Sequence, residues 1–354
     1  MRKSKVLLLM LLIPFTLSII LSGCKKDNSK SCPTVTYTQL DKVIADAQSL
    51  YNSAVEGTNP GQYVSGSKAT FKTAIDLASS VRGTSCVTQQ QLDAAVVALN
   101  AATSTFKGQK ITDVAPGALV AHWLFNGNAK DATGNGNNGT PTAGHAFWGA
   151  GPAPQLTADR FGNANDAYHF DKGSDIVVPY SSSLNPSAIT ISLWVKMEEQ
   201  PNNDYIISLD RWNGWKLNLQ SSDYLFFTVK AVTSTGDTVY YDRDSNPTSI
   251  DSLKWTAIAV TFENGKMNFY VNGALVKAWT NTPGTPVTVD NVPLSIGSDL
   301  PTDIYSTSDK SPFYVNWGGY FKGDIDDVRL YNVALTGAQV QALYAYEKDN
   351  TITK

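Results

Sequence analysis

Two Asn-Gly dipeptides, at residues 264–265 and 272–273, stand between runs of alternating apolar and polar residues. Asn-Gly between such runs is the strongest short-range signal of a β-hairpin, because both central residues of its turn need a positive φ. Residues 189–196 alternate in the same way, with every second residue apolar. Consecutive strands with no helices between them predict an antiparallel β-sandwich or jelly roll.

The aromatic residues divide the chain in two. All eight tryptophans follow residue 122, whereas the segment before residue 108 is rich in Ala, Thr, Ser and Gln. Such a shift indicates two domains with different cores. We therefore predict a linker at 108–116, a β domain at 117–346 and a carboxy-terminal tail at 347–354, in which Glu347 is expected to be solvated. About 230 residues suit a single β-sandwich.

Residues 37–107 show helical periodicity. Apolar residues at spacings of three and four form three stripes, within 40–54, 71–81 and 92–106. Gly57 and residues 59–61 separate the first stripe from the second, and Thr88 with Gln91 has the spacing of a capping box before the third. The pattern predicts a small three-helix bundle, and the segment contains no histidine and a single glutamate, Glu56.

Residues 1–23 resemble an export signal. Three basic residues precede an apolar run at 6–21, which is shorter than the roughly 20 apolar residues of a spanning helix and contains Pro14. The following Leu-Ser-Gly-Cys resembles the lipobox of bacterial lipoproteins, which implies lipidation of Cys24 and a tether at 24–36. The expected location is the bacterial cell envelope, in the outer membrane or at the cell surface, with membrane contact through the lipid anchor only. The alternative is an ordinary secretory peptide with an incidental cysteine.

Export also bears on the other two cysteines. An oxidising compartment favours a disulfide between Cys32 and Cys86, although two free thiols remain the alternative. The chain has 28 basic and 31 acidic residues, and removal of Arg2, Lys3 and Lys5 with the leader leaves 25 basic residues, a net charge of −6. Nucleic acid is excluded as a partner because its binding needs a basic surface.

Several motifs carry a resemblance to known families. Residues 122–131 read His-Trp-Leu-Phe-Asn-Gly-Asn-Ala-Lys-Asp, and further motifs follow at 133–140, 159–164, 182–185, 191–195 and 321–331. Together they resemble the laminin-G-like jelly rolls of the concanavalin A-like lectin/glucanase superfamily. The helical segment resembles FIVAR-like three-helix modules of surface proteins, at 54–57, 61–63 and 74–76. The expected fold is mainly β, an antiparallel concanavalin A-like sandwich behind a small amino-terminal three-helix bundle.

This superfamily contains enzymes as well as lectins, so the resemblance leaves catalysis open. The β domain lacks the Glu-x-Asp-x-Glu run of the glucanase branch, a Gly-x-Ser-x-Gly elbow and a His-Glu-x-x-His zinc motif. Pairs of aspartates, Asp204 with Asp210 or Asp242 with Asp244, could still serve a glycoside hydrolase or lyase. We regard an enzyme as an alternative to a binding protein.

A glycine- and asparagine-rich loop offers oxygen ligands. Asp131 begins this loop, and carboxylate, amide and carbonyl oxygens suit Ca²⁺. The resemblance implies a structural calcium between this loop and the last strand, held by Asp131, Asn137 and Asp326. The alternative is a glycine-rich turn, with Asp326 accepting hydrogen bonds from backbone N–H groups.

Two aromatic segments, 210–215 and 313–320, have the composition of carbohydrate sites. Aromatic rings stack on sugars, and loops on a rigid sandwich carry function. Trp215 begins an alternating run, so we predict that it lies in the core. The candidate ligand-binding residues are Trp212, Trp317, Tyr314, Asn316, Asp210 and Arg211. The sequence thus predicts non-catalytic binding of a glycan or polysaccharide, with a protein partner as the alternative.

Overall fold

We describe the chain from a computed structural model, which defines residues 31–57, 60–111, 113–199, 204–221, 224–247, 250 and 253–349. The predicted export signal at 1–23 and the predicted lipidation site Cys24 lie outside the described residues. Within those ranges, no helix combines the length and hydropathy needed to cross a bilayer.

Three helices form the amino-terminal module, as the periodicity predicts: α1 (Thr38–Ser53), α2 (Ser67–Arg82) and α3 (Gln89–Lys107). Their apolar stripes meet in one core that includes stacked Phe71 and Phe106 rings. The Gln91 amide donates to the Thr88 hydroxyl, which begins α3 with the predicted capping box. A disulfide joins Cys32 to Cys86, with 4.6 Å between their Cα atoms, and so ties the segment before α1 to the loop before α3.

The β domain consists of two antiparallel sheets. Its strands are β1 (Leu119–Trp123), β2 (Thr140–Thr142), β3 (Gln155–Thr157), β4 (Ala167–Phe170), β5 (Asp175–Val178), β6 (Ile189–Met197), β7 (Asp204–Leu209), β8 (Trp215–Gln220), β9 (Tyr224–Val232), β10 (Thr238–Asp244), β11 (Thr256–Glu263), β12 (Gly265–Val271), β13 (Ala274–Thr282), β14 (Thr285–Pro286), β15 (Leu294–Ile296) and β16 (Gly323–Tyr331). The first sheet has the order β13-β12-β11-β6-β16-β4-β3, and β1 also pairs with β16. The second sheet has the order β10-β9-β8-β7-β15-β5-β2, and β14 also pairs with β9.

Both predicted hairpins are present. β11 pairs with β12 across residues 264–265, and β12 pairs with β13 across residues 272–273. Asn272 and Gly273 have φ values of 47° and 75°, a left-handed conformation that these two residue types tolerate. Asn-Gly therefore sets the register of this turn.

The apolar faces of the two sheets enclose one core. Every second residue of β6 from Ile189 to Val195 points into it, which confirms the alternation seen in the sequence. Trp215 is buried in the same core, as predicted. Two antiparallel sheets packed face to face confirm the predicted mainly β sandwich with an amino-terminal helical region.

A final helix, α4 (Gly337–Asp349), is held by a buried charge network on β16. The Arg329 guanidinium pairs with Asp113 at 3.1 Å, with Asp327 at 3.0 Å and with the Glu347 carboxylate. The Trp194 indole donates to the other Glu347 oxygen at 2.7 Å. The expectation of a solvated Glu347 in a tail was therefore wrong: the helix continues through this residue because Arg329 offers a buried partner for its carboxylate.

Candidate functional site

Two loops separated by about 100 residues in sequence bring their tryptophans into contact at one end of the central strands β7 and β8 of the second sheet. One 3-10 turn, Arg211–Asn213, follows β7, and the other, Val315–Trp317, precedes β16. The Trp212 and Trp317 ring centroids are 6.3 Å apart at 55°, and the Tyr314 ring stands edge-on to Trp317 at 5.4 Å. Trp317 is 48% exposed, whereas Trp212 and Tyr314 are half-buried. We call these three residues the rim platform.

A buried arginine supports the rim platform from below. Arg211 is fully buried, and its Nε lies 2.6 Å from a carboxylate oxygen of Asp299. Its Nη1 donates to the Tyr314 carbonyl at 3.1 Å, and its guanidinium carbon lies 5.3 Å from the Trp212 ring centroid. The structure thus places Arg211, a predicted ligand-binding residue, beneath the aromatic surface and not on it. Arg211 is a positioning residue, because its charge is enclosed with Asp299 away from solvent.

Asp299 holds the second loop against the sheet. Its carboxylate accepts a hydrogen bond from the Tyr305 hydroxyl and another from the Gly319 amide at 3.1 Å. Burial raises the pKa of Asp299, and the neighbouring Arg211 charge opposes that effect. Burial and the Asp299 carboxylate together hold the pKa of the Tyr305 phenol well above its ordinary value. Tyr305 therefore stays protonated and remains a hydrogen-bond donor to Asp299.

The local sequence explains the shape of the first loop. Asp210 and Arg211 both have left-handed backbones, with φ of 57° and 53°, and the Ser208 hydroxyl accepts from the Arg211 amide at 3.0 Å. A Cβ at Gly214 would lie 2.3 Å from the Leu209 carbonyl, so only glycine lets the chain return this closely to β7. This close approach of the loop to the end of β7 buries Arg211 beneath the loop and leaves Trp212 at the surface.

The remaining two candidates lie at the edges of the rim platform. Asn316 is exposed beside Trp317, in the same 3-10 turn. Asp210 is half-buried before Trp212, and desolvation raises the pKa of its carboxyl. Four of the six predicted ligand-binding residues lie at the surface: Trp212, Tyr314, Asn316 and Trp317. Asp210 lies at the base of the rim platform, and Arg211 lies beneath it.

A second aromatic group adjoins the rim platform, and the sequence analysis missed it. The Trp148 ring lies 4.9 Å from Tyr305 and 5.5 Å from Tyr320, and Phe147 lies 6.0 Å from Trp148. His145 is 5.7 Å from Tyr305. The signal was the run His-Ala-Phe-Trp at 145–148 between glycines, which is too apolar for an ordinary turn.

The residues predicted to bind calcium are engaged by protein groups. Asp131 Oδ1 accepts from the His122 amide at 3.1 Å and from the Thr133 amide and hydroxyl at 3.0 and 2.7 Å, while Oδ2 accepts from the Asn137 amide at 3.1 Å. Asp326 lies 2.6 Å from the Arg160 guanidinium. Within the described residues, no three His, Cys, Asp or Glu side chains are arranged to hold a metal. The Asp131 contacts fit the glycine-rich turn, whereas Asp326 pairs with the Arg160 side chain where that alternative expected backbone N–H donors. The arginine beside Asp326 repels a cation.

We expect calcium removal to leave this domain unchanged, because protein donors already engage Asp131 and the Arg160 guanidinium pairs with Asp326. The melting temperature in EDTA should equal that in millimolar calcium chloride. A lower melting temperature in EDTA, restored by calcium but not by magnesium, would contradict the expectation and return Asp131, Asn137 and Asp326 as candidate ligands.

The two aspartate pairs considered for catalysis lie on the second sheet. Asp242 and Asp244 are alternate residues of β10, so they share one face. The Thr228 hydroxyl donates to Asp242 at 2.7 Å, and burial together with the Asp242 charge raises the pKa of Asp244. Asp204 begins β7 and Asp210 follows its end, so the two lie at opposite ends of one strand.

Comparison with known proteins gives a family match for part of the chain. Residues 170–341 match the family model of the concanavalin A-like lectin/glucanases superfamily, in agreement with the sandwich fold. A gellan lyase from a Bacillus species is 37% identical over 81 residues, which is 23% of this chain and 3% of the lyase. The chain thus spans a small fraction of that curated relative.

Two solved structures show a partial likeness to this chain. Domain 4 of an extracellular arabinanase from Geobacillus stearothermophilus, solved with arabinotriose, is 25% identical with a TM-score of 0.46, over 64% of this chain and 98% of that one. The binding domain of Paraclostridial Mosquitocidal Protein 1 is 19% identical with a TM-score of 0.46, over 65% of this chain and 52% of that one.

Proposed function

We propose that this chain is a cell-envelope lipoprotein whose β domain binds carbohydrate without catalysis, through the rim platform. The observation that carries the proposal is the contact between Trp212 and Trp317, which come from separate loops and form one partly exposed aromatic surface. In this proposal Cys24 anchors the chain, and the three-helix module acts as a spacer between the membrane and the β domain.

The chemistry of the rim platform suits a sugar ring. A pyranose or furanose presents apolar C–H groups on one face, which pack on an aromatic ring, and hydroxyls at its edge, which need donors and acceptors. Trp317 supplies an exposed ring, and Asn316 supplies an amide beside it. Asp210 adds a carboxylate at the base of the platform. The rim platform, with Asn316 and Asp210 beside it, therefore offers both ring stacking and hydrogen bonds to one ligand.

The support beneath the rings favours binding by a preformed surface. The Arg211–Asp299 pair and the Tyr305 hydroxyl connect the two loops through groups that are themselves buried. A ligand that meets rings already in place does not have to order them, so more of the contact energy contributes to affinity. The fully buried Arg211 thus acts on binding through Trp212 and Tyr314 rather than by touching the ligand.

Replacement of Trp317 by alanine tests the proposal. We expect purified wild-type protein to bind members of a glycan array, and Trp317→Ala to weaken that binding by about tenfold or more, because truncation of a central aromatic contact removes over ~1 kcal/mol. The melting temperature should stay within a degree or so, since the ring is half exposed. Tyr240→Ala, at a similarly exposed tyrosine of β10 (49%), is the matched control and should bind as the wild type does.

Two outcomes would contradict this function. If no glycan on the array binds the folded wild-type protein, the lectin interpretation fails and a protein partner becomes the better explanation. If a bound polysaccharide is shortened during incubation, with products that carry new ends, the protein is a hydrolase or lyase. The aspartates of β10 would then be the first residues to replace.

A further inference from the structure

The second aromatic group extends the surface on which the rim platform lies. Among the described residues, the large aromatic side chains that are clearly exposed are Phe147, Phe161, Tyr240 and Trp317. Phe161 lies over the Arg160 guanidinium at 4.8 Å, and Tyr240 lies on β10. The other two, Phe147 at 52% and Trp317 at 48% exposure, belong to the second aromatic group and to the rim platform.

A series of contacts, partly through buried side chains, joins these two exposed residues. The Arg211 guanidinium lies 5.3 Å from the Trp212 ring and 5.2 Å from the Tyr305 ring, so it links the rim platform to Tyr305. Tyr305 then contacts Trp148, which contacts Phe147 and Tyr320. Each step of this path measures between 4.9 and 6.3 Å. The two groups are therefore joined beneath the surface by Arg211 and Tyr305, and we call the whole set of rings, with its exposed members Phe147 and Trp317, the ring band.

The second group is as firmly held as the first. Gly173 has a φ of 77°, and a Cβ there would lie 2.3 Å from the Trp148 ring, so the ring packs directly on the glycine backbone. The His145 Nδ1 atom accepts from the Phe147 amide at 3.1 Å, which places the proton of a neutral His145 on Nε2. Nε2–H is a donor at the edge of the ring band, of the kind that a sugar hydroxyl needs.

The exposure of both ends of the band bears on which part of a glycan it can hold. A chain end is recognised by a closed pocket, whereas an internal segment must enter and leave the site on open sides. Phe147 and Trp317 are the most exposed rings of the band and stand at its two ends. The middle members, Tyr305 and Trp148, are more buried and act as its support.

We propose that the β domain binds an internal segment of a linear polysaccharide along this band, with Phe147, Tyr320 and His145 forming a second subsite beside the rim platform. This inference rests on the proposed carbohydrate function and adds the length and mode of the ligand. The second subsite takes further sugar units of the chain whose neighbouring units stack on Trp317 and Trp212.

Titration with length series of oligosaccharides tests this inference. The probes are linear cello-, xylo-, manno-, arabino- and galacturono-oligosaccharides, each from the disaccharide to the octasaccharide, measured by calorimetry with the full mature chain. For the series that binds, we expect affinity to rise with length until the ligand reaches both subsites. Reduction of the reducing end of the octasaccharide to an alditol should not change its affinity, because chain ends lie outside the band.

Variants of the two subsites separate this inference from the proposed function. Phe147→Ala should weaken the longest ligands by about tenfold while the shortest ligands bind as before, whereas Trp317→Ala should weaken every length. Tyr240→Ala should change neither. If Phe147→Ala leaves every length unaffected, or the alditol loses its affinity, the second subsite is wrong although the rim platform remains. If no series binds, the proposed function fails as well.

Discussion

Arg211→Met is expected to lower the free energy of unfolding of the β domain by about 3–5 kcal/mol, the usual cost of removing one partner of a buried ion pair. The substitution leaves the Asp299 carboxylate fully buried, without the charge that compensates it. It also removes the donor to the Tyr314 carbonyl and the cation beneath the Trp212 ring. Chemical denaturation followed by tryptophan fluorescence and circular dichroism would measure the loss, and glycan binding should fall with it.

A double variant distinguishes the cost of the unpaired charge from the loss of positioning. Arg211→Met with Asp299→Leu replaces both charges by apolar groups, and such replacements are often neutral or better for stability. We expect the double variant to regain much of the stability that the single variant loses, but not its glycan binding, because Trp212 and Tyr314 still lack their support. An unchanged denaturation midpoint in Arg211→Met would contradict the structural role assigned to the pair.

Lys216→Met is expected to have the opposite effect and to stabilise the protein by about 1 kcal/mol at pH 7, because the gain from removing the desolvated charge exceeds the cost of leaving the Asn218 oxygen without its donor. Lys216 is 6% exposed and points away from the core, since its neighbours in β8, Trp215 and Leu217, point into it. Its Nζ donates to Asn218 at 2.9 Å, and it pairs with no carboxylate among the residues that the structure describes. Methionine keeps the length of the side chain and removes the buried charge.

The pKa of Lys216 predicts how the stability gained in Lys216→Met changes with pH. Burial lowers the pKa of Lys216 to about 8, from an ordinary value of 10.5. Between these values the unfolded chain holds a proton that the folded chain has released, so the stability of the wild type rises with pH across this window. The advantage of Lys216→Met should therefore be largest below pH 8 and shrink towards pH 10. Lys230→Met, at a more exposed lysine of β9, is the control, and an equal gain there would contradict the burial argument.

Local features of the sequence were sufficient to predict the elements of both domains. The hairpins at 264–265 and 272–273 follow from backbone preferences of Asn and Gly, and α3 begins at the Thr88 capping box. Alternation in β6 and the position of Trp215 follow from the need to bury one face of a strand. In each case the residues that decide the structure lie within a few positions of one another.

The environment of single charged side chains could not be predicted in this way. Arg211 and Glu347 appear in the sequence as polar residues of a loop and of a terminal helix, where solvent exposure is the usual outcome. Each is buried because an oppositely charged group, Asp299 for the first and Arg329 for the second, approaches from a distant segment. No local pattern records that approach.

The sequence by itself determined the helices, the strands and the composition of the two aromatic loops, because short-range sterics and the burial of one face act through neighbouring residues. The tertiary structure alone decided that Trp212 meets Trp317 and that Phe147 continues the same band. These contacts arise where the packing of the two sheets brings loops together at one end of the strands β7 and β8. Side chains that are far apart in sequence become neighbours there. The free energy gained by burying each of them depends on the positions of all the loops that meet at this site.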